Sequence, residues 1–287
     1  MTFSDLDWIG LLLRTAVYIA TIASAGGMFF YVTVAGSKAV SIPVRNQIWF
    51  GAALLLLVEP MRYVQFQLAI GGGDVATAFD PSMRWMAFET PIGQAALVRV
   101  VGGAILVLAG LRLWPLSLMA ALAIVASFTL EGHTASHEGA GWLPACLIML
   151  HLISVHWWLG ALFPLRAATR IPGDARVADL VGQFGKLALI AVAVLAAAGA
   201  LLMAVLAGWQ VDVARNHQIV FMAKLVVFAA IMAVASINKL RWTPMLVSDA
   251  QKGRSGFREA LHLEIVLCFF ILLITAIMTS FGPSGAF

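Results

Sequence analysis

Charge is what this sequence has least of. Only 11% of its 287 residues are Asp, Glu, Lys or Arg, where soluble domains carry about 25%. So little charge excludes an ordinary water-soluble domain. Cysteine is scarce as well. Cys146 and Cys268 are the two present, and both fall inside apolar runs, so neither a disulfide nor a paired zinc motif is expected. The sequence holds no Gly-x-Ser-x-Gly elbow, no Walker motif and no His-Glu-x-x-His; those would signal hydrolysis or nucleotide use. The chain is therefore read as neither an enzyme nor a self-powered pump. No basic segment precedes the first apolar run, so that run is expected to remain as a helix and not to be cleaved as a signal peptide.

What the chain has is hydrocarbon. Hydrophobic residues make up 62% of it, and the mean hydropathy is +0.95. A membrane span needs about 20 apolar residues. Eight such runs are read, at 8–35, 45–70, 92–112, 115–132, 142–166, 180–207, 215–239 and 257–281. The expectation is an all-α polytopic membrane protein of eight transmembrane helices, forming a single integral domain over 1–287. Its partner over most of its surface is the lipid bilayer.

The loops orient the set. Lys38 and Arg45 follow the first run, and Arg112 follows the third. Arg166, Arg170 and Arg176 follow the fifth, and Lys239, Arg241, Lys252 and Arg254 follow the seventh. Excess Lys and Arg marks cytoplasmic loops. Both termini are therefore expected on the periplasmic side of a bacterial inner membrane. The basic excess reports topology, and no nucleic-acid partner is implied. A weak internal repeat, 8–135 and 142–281, is read from Phe50-Gly51 against Phe184-Gly185, Arg99 against Lys224, and Trp114-Pro115 against Trp242-Thr243-Pro244. Two four-helix units in parallel would follow. Between the second and third runs, the loop from Gly71 to Pro91, through Pro81-Ser82-Met83-Arg84-Trp85-Met86, suggests a short interfacial helix with Trp85 at headgroup depth.

The chemistry concentrates between Leu130 and Arg166, which hold four of the six histidines. Imidazole is costly in hydrocarbon, so an intramembrane histidine marks function by default. His133 and His137 are four apart and would share a face if the fourth helix extends that far. His151 lies roughly 13 Å below the outer start of its helix, within reach of either. His156 lies five residues deeper, and five residues turn a helix through about 500°, so these two rings should face different ways. His156 reads as a deeper station or as a packed imidazole bonded to backbone. Imidazole and thioether donors suit soft and borderline ions, and copper is the expected ion. Cys146 and Met149 just above His151 are further soft donors or plain core fillers.

Arg14, Glu59, Arg62, Arg99 and Lys224 also fall inside the apolar runs, with Glu131 near an outer edge. Such charges pair and face the bundle interior. Glu59 is the candidate to balance a bound cation or to orient a ligating imidazole by hydrogen bond. The arginine excess is awkward for a bare cation. It fits an anionic group better, so a b-type haem protein moving electrons between quinone and a periplasmic acceptor is the rival reading.

Several stretches together resemble the copper-resistance protein D family of bacterial inner-membrane proteins. They are Gly132-His133, then His151-Leu152, then Trp158-Leu159-Gly160. Thr90-Pro91-Ile92-Gly93 ahead of Arg99 belongs with them, as do Phe184-Gly185, Lys224 and the run from Asn238 to Pro244. The resemblance implies copper transport or handling across the inner membrane, beside a separate periplasmic copper-binding protein. His133, His137 and His151 would form the entrance, with His156 deeper and Glu59 in support.

Overall fold

The computed structural model describes residues 7–34, 40–131, 142–170, 174–207 and 216–280. Among them every regular element is helical. The helices are α1 (Trp8–Val34), α2 (Ser41–Ile70), α3 (Val75–Ala78), α4 (Pro81–Glu89), α5 (Pro91–Ala109), α6 (Trp114–Thr129), α7 (Leu143–Ala168), α8 (Asp174–Ala207), α9 (Asn216–Ile237), α10 (Thr243–Ser248) and α11 (Ala250–Ser280). Two π-helical stretches interrupt the regular winding. One, Ile22–Gly26, lies inside α1; the other, Asn238–Trp242, joins α9 to α10.

Seven helices are long and apolar enough to cross a bilayer. The sequence suggested eight, and the difference is α6. Its apolar helix ends at Thr129, with the last three residues already wound as 3-10 helix. Sixteen residues rise only about 24 Å, less than the roughly 30 Å of bilayer hydrocarbon. Most other ends fall close to where hydropathy puts them, because local signals stop the helices there, while α8 and α11 start earlier than their apolar runs at 180 and 257, at Asp174 and Ala250. Thr90 caps α5 by accepting from Gly93 N at 3.1 Å, and Pro91 follows it at the first turn. Pro115 and Pro144 likewise sit in the first turns of α6 and α7, where a missing N–H costs nothing. Gly72 and Gly73 take positive φ after α2 and turn the chain out of it. The short helix expected near Trp85 is α4, capped by Asp80 onto Ser82 N at 2.9 Å. The Ser82 hydroxyl and N–H hold the Asp80 carboxyl below its usual range.

The helices pack as a bundle: α7 along α8, α2 along α5, α9 along α11 and α1 along α2. Association in lipid relies on close approach of small residues. The tightest such contact is between α1 and α7. A Cβ on Gly26 would lie 2.1 Å from the His156 carbonyl oxygen, and one on Gly160 would lie 2.3 Å from the Gly26 carbonyl carbon. Gln47 clamps the crossing by donating to Ala23 O at 3.2 Å and Gly160 O at 2.8 Å. The outside is apolar, with Leu108, Leu240 and Val247 among the most exposed side chains. Lipid, not water, is the solvent for that surface.

Candidate intramembrane metal site

Helix α7 carries His151 and His156 and sends them to different sides. His151 Nδ1 lies 3.2 Å from Leu195 O of α8. A carbonyl can only accept, so Nδ1 carries the proton and Nε2 keeps its lone pair. No hydrogen bond to that Nε2 exists among the described residues. Gly199 of α8 packs beside the ring, where a Cβ would stand at an ordinary contact distance of 3.4 Å. Lys224 of α9 lies close enough for its charge to act on the ring.

His156 is more tightly held. Its Nδ1 donates to Leu152 O one turn back, at 2.8 Å, and its Nε2 meets Thr21 Oγ1 at 3.2 Å. Thr21 also reaches Tyr18 O at 3.1 Å, so its single proton is shared between two acceptors. The ring is 3% exposed. Both nitrogens are occupied, and a metal could take Nε2 only by displacing the threonine. Because the two rings leave α7 on opposite sides, they do not form a pair of axial ligands for one haem iron.

A four-membered ion cluster joins α2, α5 and the turn after α6. Glu59 Oε1 accepts from Arg62 Nη2 at 2.8 Å and from Arg99 Nη1 at 2.9 Å. Glu131 Oε1 accepts from the same two nitrogens, at 2.6 and 2.9 Å. Glu59 and Arg99 are fully buried. Two carboxylates and two guanidiniums cancel, so the arginine excess suspected from the sequence does not arise at this place. Burial alone would raise the Glu131 carboxyl, but Arg99 and Arg62 outweigh it and hold the group below its usual range. The Arg99 guanidinium also lies over the Phe128 ring, 4.2 Å from its centre. Phe128 in turn approaches His156, with ring centres 6.2 Å apart. Phe128 thus separates the ion cluster from the deeper histidine. Glu59 has no hydrogen bond to an imidazole among the described residues, and its Oε2 is without a partner.

His133 and His137 lie outside the described residues, as does their contact with His151. Cys146 is exposed. Among the described residues no three His, Cys, Asp or Glu side chains gather as a metal site. The Trp157-Trp158-Leu159-Gly160 sequence serves packing. Trp157 stacks on Phe184 at 5.3 Å between ring centres and donates to Thr33 Oγ1 at 2.7 Å, while Gly160 makes the α1 contact. Sequence reasoning missed Thr21 and Phe128, which carry no sign of function until the helices are brought together.

Two family models match the chain in order. Copper resistance protein D-like, N-terminal domain, matches residues 5–143, and Copper resistance protein D matches residues 178–278. The chain belongs to the copper-resistance protein D family. It is therefore a multi-pass membrane protein of copper handling. The ion cluster falls entirely in the first matched segment of this family member, and Lys224 falls in the second. Helix α7, with His151 and His156, lies between the two except for its first residue, Leu143. No curated protein and no solved structure matches the chain.

Proposed function

We propose that the protein takes copper from the periplasmic face of the bacterial inner membrane and passes it inward along α7. The reading gives His133 and His137 the entrance, His151 the first intramembrane station and His156 a deeper one. The observation that carries it is the bare Nε2 of His151. A backbone carbonyl fixes the tautomer of that ring from behind, the usual way a protein orients a ligating imidazole. Glu59 would give charge support from the ion cluster beyond Phe128, where two arginines hold it and its Oε2 has no partner among the described residues. A separate periplasmic copper-binding protein would deliver the ion. Eight crossings, with both termini outside, complete the arrangement and need α6 to span a locally thinned bilayer.

Transit needs binding weak enough to release. Lys224 serves that need, since its charge opposes a cation at His151. Replacing His133, His137 and His151 together by alanine should abolish copper accumulation in cells expressing the protein. Cellular copper measured against membrane-protein abundance checks this. Accumulation equal to wild type at equal abundance would overturn the assignment.

A further inference from the structure

A groove of about 640 Å³ lies between the C-terminal end of α2 and the short helices α3 and α4, within the range of small-molecule sites, about 300–1,000 Å³. Its lining is of two kinds. Tyr63, Gln67 and Arg84 supply polar groups, and Phe79, Trp85 and Phe88 supply aromatic walls. The three aromatic residues are exposed, with Trp85 62% open. The 30 residues of α2 rise about 45 Å, more than the roughly 30 Å of hydrocarbon. The end of α2 that carries Tyr63 and Gln67 therefore emerges into the headgroup layer, where Tyr and Trp settle. Below the groove, Leu57, Met61 and Val64 are exposed on α2. Their spacing puts them on one helix face, a lipid-facing track about 10 Å long. Arg84 has no ion pair among the described residues, and it lies close enough for its charge to act on the Tyr63 hydroxyl. Between Gly71 and Pro91 it is the one basic residue, against Asp74, Asp80 and Glu89. Asp74 and Asp80 cap their own helices, accepting from Thr77 N at 2.7 Å and Ser82 N at 2.9 Å. Asp80 and Glu89 adjoin the lining residues Pro81 and Phe88.

We propose that this groove seats one phospholipid with a phosphoethanolamine head, from the leaflet on that side of the membrane. Arg84 and the Tyr63 hydroxyl take the phosphate, since guanidinium and phosphate make strong charge-assisted hydrogen bonds. The ammonium turns toward Asp80 and Glu89, and one acyl chain runs down the Leu57–Met61–Val64 track. Charge selects the head. Three carboxylates against one guanidinium leave the α3–α4 segment net negative, so a purely anionic head satisfies Arg84 but is repelled by its neighbours. A head carrying both signs satisfies each. The aromatic walls take the glycerol and upper acyl region, where lipid turns from polar to apolar. The site is independent of the copper route, and its occupant holds α4 to the interface just before the Thr90 cap of α5.

The test titrates the full-length protein, delipidated in detergent, with phosphatidylethanolamine or phosphatidylglycerol of identical acyl chains, and counts bound lipid by native mass spectrometry. Phosphatidylethanolamine should bind one per chain and at least fivefold more tightly. Arg84→Gln should weaken it about tenfold, the loss expected for one charge-assisted hydrogen bond. Arg84 is exposed, so that variant should keep the wild-type thermal midpoint. Arg112→Gln, beyond the opposite end of α5, should bind as wild type. Equal affinity for the two lipids, unchanged binding in Arg84→Gln, or an equal loss in Arg112→Gln would each overturn the site. Displacement of the lipid by millimolar inorganic phosphate would make it a free-phosphate site and overturn the lipid assignment.

Discussion

Arg99 decides how much of the outer bundle holds together. It bonds two carboxylates from two different segments and covers Phe128, with no surface exposed. Removing one member of a buried ion network leaves its partners uncompensated, at a cost of about 3–5 kcal/mol. Arg99→Met should therefore lower the unfolding free energy of the purified protein by about that much, read from denaturant titration in detergent. A change below about 1 kcal/mol would mean that Arg62 alone satisfies both acids. Lys224 gives a second test. Lys224→Met removes the charge beside His151, so it should tighten copper retention and slow copper release from loaded vesicles; faster release would contradict its assigned part. The need for partners was legible in the sequence, because charges inside apolar runs cannot stand alone. Which acid served was not. Glu131 sits at the outer edge of its apolar run and reads equally as a loop residue, yet the 3-10 turn at Ser127–Thr129 leads it back onto Arg62 and Arg99.

Most helix boundaries follow hydropathy and punctuation, since the spans are near-continuous apolar runs and several are bounded by proline, glycine or a capping side chain, whereas α8 and α11 reach back into polar sequence before their runs. The π stretches leave no such trace. Hydropathy reports how greasy a segment is, not which carbonyl each N–H reaches. The stretch at Ile22–Gly26 shows itself only through what it accommodates, namely Gly160 and the backbone of His156. Overpacking a filled contact costs about 1–3 kcal/mol. Gly160→Val should lose at least that and disturb the Thr21–His156 bond, lowering both thermal stability and copper accumulation. A variant as stable and as active as wild type would show that the crossing is loose. Helix α6 is the other element that hydropathy overestimates. Reporter fusions after residues 112 and 140 should report opposite sides of the membrane if it crosses. Fusions reporting the same side would reduce the count to seven.

The orientation drawn from the basic loops can be checked on the assembled bundle. Tags at the two ends should both be reachable from the periplasm in intact cells, and neither from the cytoplasm. Accessibility of only one end would require an odd number of crossings. The candidate site is less legible than the fold for a physical reason. A single sequence shows that His151 and His156 point apart, because spacing along a helix fixes that. It does not show what stands opposite each ring, since Thr21 and Leu195 come from helices far away along the chain.

Those two contacts tie α7 in opposite directions. His156 fastens it to Thr21 in α1, and His151 fastens it to Leu195 in α8. A rod tethered on both flanks cannot roll toward one without straining the other. Any rocking of the first family segment against the second must therefore stretch or release one imidazole before its counterpart. The five-residue offset between the two rings would then set which lets go first, making the helix a clutch.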